Sequence, residues 1–284
     1  MDLNKYLFKK RGIINEALDK YLPSENEYPQ ILHEAMRYSV LSSGKRLRPI
    51  LTIATYETIG GKQEEVIPIS CAIELIHTYS LIHDDLPSLD NDDYRRGKET
   101  CHRKYGEAIA ILTGDALLTF GFKLISSSGF NPSLLIKTID ELSSAIGTRG
   151  MIGGQAVDVT TTEANPSVLQ YIHTHKTGAL ICASVRIGAI LAGCSTQELT
   201  HLTQYGECIG LAFQIVDDMM DERCDKKRGK RLTYPVVYGV KEAERRAREL
   251  GNNAILQLEI FGGRAKILRE IARFIVDRAY KGSS

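Results

Sequence analysis

The sequence predicts an all-α protein. Helix-opening prolines and capping residues recur along it, and apolar residues repeat at three- and four-residue intervals; strand patterns bounded by hairpin turns are absent. The opening MDLNKYLFKKRGIINEALDKYL reads as an amphipathic helix. PQILHEAMRYSVLSS starts with Pro29 in a first-turn position and repeats apolar positions through Leu32, Ala35, Met36, Ser39 and Val40. PILTIATYETIGG begins at Pro49 and stops at Gly60-Gly61, and Pro68 opens the helix after it. Asn131-Pro132 and Asn165-Pro166 each join a capping residue to a first-turn proline. Ser195 and Glu198 form a capping-box pattern ahead of a long helix through Ala212 to Asp221. The last forty residues hold two further periodic segments, broken near Gly251 and at Gly262-Gly263. No repeat, low-complexity run or linker divides the chain, so one domain of roughly ten helices or more over residues 1–284 is expected.

Composition narrows the function. The 284 residues are 43% hydrophobic and 25% charged with a formal net charge of +1, which gives no reason to expect nucleic acid or an anionic membrane as partner. Six scattered cysteines, none in a Cys-x-x-Cys pair, suit a reducing compartment better than a disulfide frame. The acids Asp2, Glu16 and Asp19 argue against a signal or transit peptide, and the apolar stretch at 179–193 contains Arg186 and is too short to span a membrane. A soluble, cytoplasmic protein is expected.

The informative charge is local. LIHDDLPSLDNDDYRRGKETCH follows an apolar helix and places Asp84, Asp85, Asp90, Asp92 and Asp93 within ten residues. A second cluster, FQIVDDMMDERCD, sets Asp217, Asp218 and Asp221 at helical spacings of three and four. Most such pairs are solvated helix ends. Here GLAFQIV precedes the second cluster without a polar face, and like charges on one helical face repel. Carboxylates without a partnering His or Cys suit a hard cation, most simply Mg²⁺, which keeps coordination places for water and substrate phosphate. Bases accompany them: Lys45, Arg46 and Arg48 in SGKRLRP, Arg95 and Arg96 after the first cluster, Lys176 in HTHKTGAL, and DKKRGKR after the second. His77 lies about two helical turns before Asp84. A competing pattern, Glu-x-x-His at Glu74–His77, Glu99–His102 and Glu198–His201, is what a di-iron bundle uses, but it leaves both aspartate clusters idle.

On these motifs the sequence resembles the trans-polyprenyl diphosphate synthases, specifically the bacterial-type farnesyl diphosphate synthases. GKRLRP, HTYSLIHDDLPSLDNDDYRRGKETCHRKYGEA, GGQAVD, HKTGAL, GLAFQIVDDMMD and TYP occur in the family's order. The resemblance implies an isoprenoid synthase fold, a single helical bundle around a deep central cavity, and a homodimer working with three Mg²⁺ ions. It implies head-to-tail condensation of isopentenyl diphosphate with allylic diphosphates to farnesyl diphosphate. Asp84 and Asp90 would hold two ions and Asp217, helped by Asp221, the third, with Asp85 and Asp218 in support. Lys45, Arg48, Arg96 and His77 would bind isopentenyl diphosphate, and Arg95 and Lys176 the allylic diphosphate. Thr177 and Gln214 would line the reacting centre, and Gly178 would loosen the helix there. Only eleven residues separate Asp221 from Thr233, fewer than the family usually carries. Within them Lys230 is the expected diphosphate ligand, with Lys226 and Lys227 as rivals. Tyr79, five residues before Asp84, would set product length, since Ser80 is too small to do so. Geranylgeranyl or geranyl diphosphate synthesis, a terpene cyclase and a non-catalytic subunit are the alternatives.

Overall fold

A computed structural model of the chain describes residues 2–161, 165–224 and 233–281, the side chains of 222–224 and 279–281 excepted. Among them the architecture is all-α: fourteen α-helical segments, two of five residues, with one short hairpin. They fall into two compact units, Met1–Ile53 with Lys62–Leu135, and Ala54–Gly61 with Ile136–Ser284.

The first unit contains α1 (Leu3–Tyr21), α2 (Gln30–Val40), the start of α3 (Leu47–Ile59), α4 (Gln63–Asp84), α5 (Cys101–Tyr105) and α6 (Glu107–Ser126). α4 is its centre. Twelve of its side chains are buried around the whole helix, which is why its sequence shows an apolar run and not a stripe. α6 packs closely along it because Gly114 leaves room for the His83 ring and Gly121 for Ile76; a Cβ at either position would overlap its neighbour. From α1, Ile14 and Leu18 are fully buried.

Two features here depart from the sequence reading. α4 begins at Gln63, not Pro68: Glu64 and Glu65 fill the first turn, where the helix dipole favours them. Pro68 lies inside α4, where its missing N–H leaves only the carbonyl of exposed Glu64 without its helical bond. The chain also has strand, β1 (Tyr94–Arg95) paired antiparallel with β2 (Lys98–Glu99). Arg96 (φ 54°) and Gly97 (φ 78°) make the turn, as a two-residue hairpin with both central residues left-handed requires. Two residues per strand leave no alternation to read.

The second unit holds most of α7 (Pro132–Ile146), then α8 (Met151–Thr160), α9 (Pro166–Ile172), a π-helical segment His173–Gly178, α10 (Ala179–Leu191), α11 (Thr196–Cys224), α12 (Tyr234–Tyr238), α13 (Val240–Gln257), a 3-10 segment Glu259–Ala265 and α14 (Lys266–Lys281). α11 is the axis, touched by α10, α13, α14 and the π segment. Gly206 and Gly210, one turn apart on α11, let Cys182 and Gly178 approach: a Cβ at either would stand 3.0 Å from the neighbour's Cα. Buried Tyr205 donates to the Leu268 carbonyl at 2.8 Å and joins α11 to α14. The expected caps form: Asn131 and Asn165 accept from Ser133 N and Ser167 N at 2.9 Å, and Ser195 and Glu198 close the capping box. The break expected near Gly251 does not occur. α13 runs through it, because Gly251 packs against Val276 Cγ2 and serves contact, not termination. The break at Gly262 (φ 52°) is there.

Among the described residues α4 and α6 are long and apolar enough to cross a bilayer. α4 is a core helix; α6 is only 39% buried over its most apolar window and exposes Ile111 and Leu112.

Candidate active site

The first acid cluster forms where α4 ends. Asp84 is the last helical residue, and the loop after it folds back so that Asp90 N donates to the Asp84 carbonyl at 2.8 Å. Asp84 is half-buried and Asp90 exposed. Carboxylates at a helix C-terminus sit against the negative end of its dipole, so the site favours a cation. Asp85 is already committed: buried, it accepts from Arg95 Nε at 2.8 and 2.9 Å and from Nη2 at 2.6 Å. Burial nevertheless pushes its carboxyl above the ordinary value, against the pull of Arg95. Arg95 thus pairs with Asp85 here, and its grip on an allylic diphosphate stays an expectation.

The basic residues of this unit gather beside α4. Arg48, which is buried, donates from Nη1 to His77 Nε2 at 3.2 Å. Arg96 donates from Nη1 to the Ser43 carbonyl at 2.7 Å. Lys45 is exposed in the same loop. A guanidinium can only donate, so His77 accepts at Nε2 and carries its hydrogen on Nδ1, an atom shut away from solvent with no partner. Burial, then Arg48, Arg96 and Arg95, hold His77 well below its ordinary value of 6.5.

A neutral buried histidine has a consequence for pH. The unfolded chain takes up a proton near 6.5 while the folded His77 does not. Its contribution to stability is therefore complete above the unfolded value and declines as pH falls below it, by up to about 1.4 kcal/mol per pH unit. His77→Asn should flatten the stability profile between roughly pH 7 and pH 5. Urea denaturation across that range measures it; an equally steep slope in the variant would assign the effect to other groups.

Tyr79 lies one turn before His83 and packs edge-on to it, ring centroids 5.7 Å apart. It is 5% exposed, its hydroxyl has no hydrogen-bond partner, and burial pushes it up to about 12. Neighbouring Ser80 turns its hydroxyl back to the His77 carbonyl at 2.8 Å.

In the second unit Lys176, Thr177 and Gly178 belong to the π-helical segment, the loosening expected at Gly178. Gly154 on α8 lets that segment approach, since a Cβ there would overlap the Lys176 backbone. Lys176 Nζ donates to Asp158 Oδ2 at 2.6 Å. Thr177 donates to Gln214 Oε1 at 2.6 Å, and Gln214 Nε2 to Asp218 Oδ1 at 2.8 Å. Buried Asp218 also accepts from Tyr234 N at 2.7 Å and faces His173 Nε2 at 3.0 Å. Asp217 is partly exposed and paired with Arg278 Nη2 at 2.9 Å, while Asp221 is exposed.

Sequence reasoning missed Asp158, His173 and Arg278 as partners. Asp158 lay within the quoted GGQAVD and His173 opens the quoted HTHKTGAL; nothing local marks Arg278. Lys230 and its rivals Lys226 and Lys227 lie outside the described residues. Among the described residues no set of three His, Cys, Asp or Glu side chains converges as a preformed metal cage. The di-iron reading loses its glutamates: Glu74 is bound to Arg46 and Glu198 caps α11. What each unit offers is an oxygen-only pair, one aspartate buried in the protein's own hydrogen bonds and its neighbour partly exposed, Asp217 beside Arg278. That donor chemistry suits Mg²⁺, which takes few protein carboxylates beside water and phosphate.

An all-α scaffold carrying two such aspartate pairs, each with arginine or lysine beside it, defines the diphosphate-handling prenyltransferase class. The polyprenyl synthetase family model matches residues 29–258. The chain is 45% identical over 290 residues to the chloroplastic geranylgeranyl pyrophosphate synthase of Capsicum annuum, covering 96% of this chain and 78% of that protein. It is 42% identical to the geranylgeranyl diphosphate synthase of Cyanophora paradoxa, with 98% and 97% covered. The apo crystal structure of an FPP/GFPP synthase from Zymomonas mobilis matches with a TM-score of 0.90 at 38% identity, over 96% of this chain and 98% of that one. The chain belongs to the polyprenyl synthetase family and is a prenyltransferase; the family works with Mg²⁺.

Proposed function

We propose that the chain, as one domain over residues 1–284, condenses isopentenyl diphosphate head to tail (1′-4) with allylic diphosphates in the presence of three Mg²⁺ ions. The observation that carries this is the repeated aspartate pair: Asp85 and Asp218 are buried among the protein's own donors, while Asp84 and Asp217 beside them are partly exposed, Asp217 next to the cationic Arg278. In this reading Asp84 and Asp90 hold two ions and Asp217 with Asp221 the third. Bound Mg²⁺ supplies Lewis-acid stabilisation of the departing diphosphate. Arg95 and Lys176 bind that diphosphate as fixed cations. Thr177 and Gln214, joined by a hydrogen bond, present oxygen dipoles toward the allylic cation. Lys45, Arg48, Arg96 and His77 form the isopentenyl diphosphate site, His77 by accepting from Arg48. No side-chain base stands out for the final proton, so the departing diphosphate takes it.

Product length divides the evidence. The relatives from Capsicum annuum and Cyanophora paradoxa carry geranylgeranyl names, which favours a twenty-carbon product. In favour of the farnesyl reading stand the buried aromatic Tyr79 one turn before the acid cluster and the likeness to the Zymomonas mobilis protein named an FPP/GFPP synthase. Purified protein with Mg²⁺, isopentenyl and dimethylallyl diphosphates should give a chain-elongated diphosphate, and excess EDTA should abolish it. A cyclised hydrocarbon or no product at all refutes the proposal. Chromatography of the same reaction assigns the length.

The two diphosphate sites can be separated. Arg48→Ala and Arg96→Ala should raise KM for isopentenyl diphosphate roughly tenfold or more, the scale of a charge-assisted hydrogen bond, and leave the allylic KM nearly unchanged. Arg95→Ala and Lys176→Ala should do the reverse. Equal effects on both substrates would cancel the assignment.

A homodimer is part of the proposal. The exposed apolar stretch of α6 with Ile111 and Leu112 suits a second copy of the chain, and sedimentation of a monomer would remove it. The five described cysteines are free thiols, which suits a reducing cytoplasm.

A further inference from the structure

Arg46 stands in the middle of SGKRLRP, yet its side chain points away from solvent. It is 2% exposed and uses four donor contacts: Nε to Asn15 Oδ1 at 2.9 Å, Nη1 to Glu74 Oε1 at 2.7 Å, and Nη2 to the carbonyls of Val40 and Ser42 at 2.7 and 2.9 Å. Its partner Glu74, on α4, is 3% exposed. The backbone of Arg46 is left-handed (φ 53°), a conformation that residues other than glycine adopt only when their surroundings impose it. One guanidinium therefore joins α1, the end of α2, the following loop and α4, and it reverses the chain at that point.

What this fixes is the turn that carries Lys45 and leads into Arg48 at the start of α3. Glu74 lies three residues before His77, on the same face of α4, and His77 receives Arg48 at 3.2 Å. On the loop's other side Arg96 holds the Ser43 carbonyl at 2.7 Å. A Cβ at Gly44 would stand 2.5 Å from Arg96 Nη1 and 3.2 Å from Arg46 Nη1, so the two guanidiniums leave that position room for hydrogen alone.

We infer that Arg46, through its buried partner Glu74, is a positioning residue for the acceptor diphosphate site. It holds the turn that presents Lys45 and sets the start of α3 with Arg48, without touching substrate itself. The inference rests on the proposed function and extends it. A buried ion pair is a poor way to add stability, because an apolar pair of equal volume usually does as well or better. What it adds is direction: a rigid fork that fixes two backbone carbonyls and a side-chain amide at once. With four of its contacts filled and its side chain closed to solvent, Arg46 is not placed to bind diphosphate directly.

The test replaces the pair together, so that no buried charge is left alone. Arg46→Met with Glu74→Met should keep the melting temperature of the wild type or exceed it. Its KM for isopentenyl diphosphate should rise at least about tenfold, as misplaced positioning groups do, with kcat and the allylic KM within about twofold. Isothermal titration of isopentenyl diphosphate should show the same loss. If the double variant does not fold, Arg46→Lys decides. It retains the charge and the bond to Glu74 but loses the fork, and its KM for isopentenyl diphosphate should rise about fivefold. An acceptor KM within about twofold of wild type, in the folded double variant or otherwise in Arg46→Lys, overturns the inference and leaves the pair a structural element. Wild-type protein that neither turns over nor binds isopentenyl diphosphate removes the proposed function and this inference together; turnover with an unmoved acceptor KM removes the inference alone.

Discussion

Asp84→Ala and Asp217→Asn should each lower the condensation rate by at least about a hundredfold, the scale of losing one electrostatic contact in a preorganised site. Their effects on metal-free stability should differ. Asp84 sits at the C-terminal end of α4, and beside it the Asp85 carboxyl is raised first by burial and further by the charges of Asp92 and Asp90. Removing a carboxylate there relieves repulsion, so the melting temperature of Asp84→Ala should hold or rise. Asp217 is paired with Arg278, whose side chain is 12% exposed and whose guanidinium also lies 5.3 Å from the Phe213 ring centroid. Alanine would leave that guanidinium short of a partner; asparagine keeps an acceptor and limits the cost to about 1 kcal/mol or less. Incorporation of labelled isopentenyl diphosphate gives the rates, and melting without Mg²⁺ gives the stabilities. Near-normal turnover in either variant, with the fold intact, would remove the magnesium role of that cluster.

The parts of the molecule legible in sequence are those written in short-range chemistry. Asn131-Pro132, Asn165-Pro166 and the Ser195–Glu198 box mark their helix starts because each cap is closed by atoms within three residues. Pro68 and Gly251 misled for the same reason. Each is a local stop signal, and each sits inside a helix held by contacts from distant segments: buried α4 core residues in one case, Val276 in the other. The aspartate clusters were legible because like charges at helical spacing need an explanation wherever they occur. Their partners were not. Arg278 lies 61 residues from Asp217 in sequence, and His173 reaches Asp218 only because the π segment and α11 pack through Gly178 and Gly210. Glu74 shows how far a local pattern can mislead: three residues before a histidine it resembles a metal motif, while its buried carboxylate answers an arginine 28 positions away.

Tyr79→Ala should lengthen the product by at least one isoprene unit, whether the wild type stops at fifteen or twenty carbons. Tyr79 lies five residues before Asp84, so its ring starts roughly 7 Å further back along α4 than the first proposed metal ligand. An isoprenoid tail anchored at that diphosphate and running back along the helix meets a ring that is 5% exposed and braced by His83. His83 is braced in turn, with Nε2 3.1 Å from the Ile111 carbonyl and its ring seated over Gly114. A ring held this way does not swing aside without cost. Forcing even single methylenes into a packed site costs about 1–3 kcal/mol, so a five-carbon unit is excluded until the ring is removed. Alanine removes the whole phenol and opens space of comparable size. Tyr79→Phe supplies the control: it keeps the ring and therefore the product length. It should also stabilise the fold by up to about 1–3 kcal/mol, because the buried hydroxyl it deletes has no hydrogen-bond partner. Product chromatography with thermal melting reads both variants. An unchanged product from Tyr79→Ala would make Tyr79 core packing and place the limit on chain length at another residue.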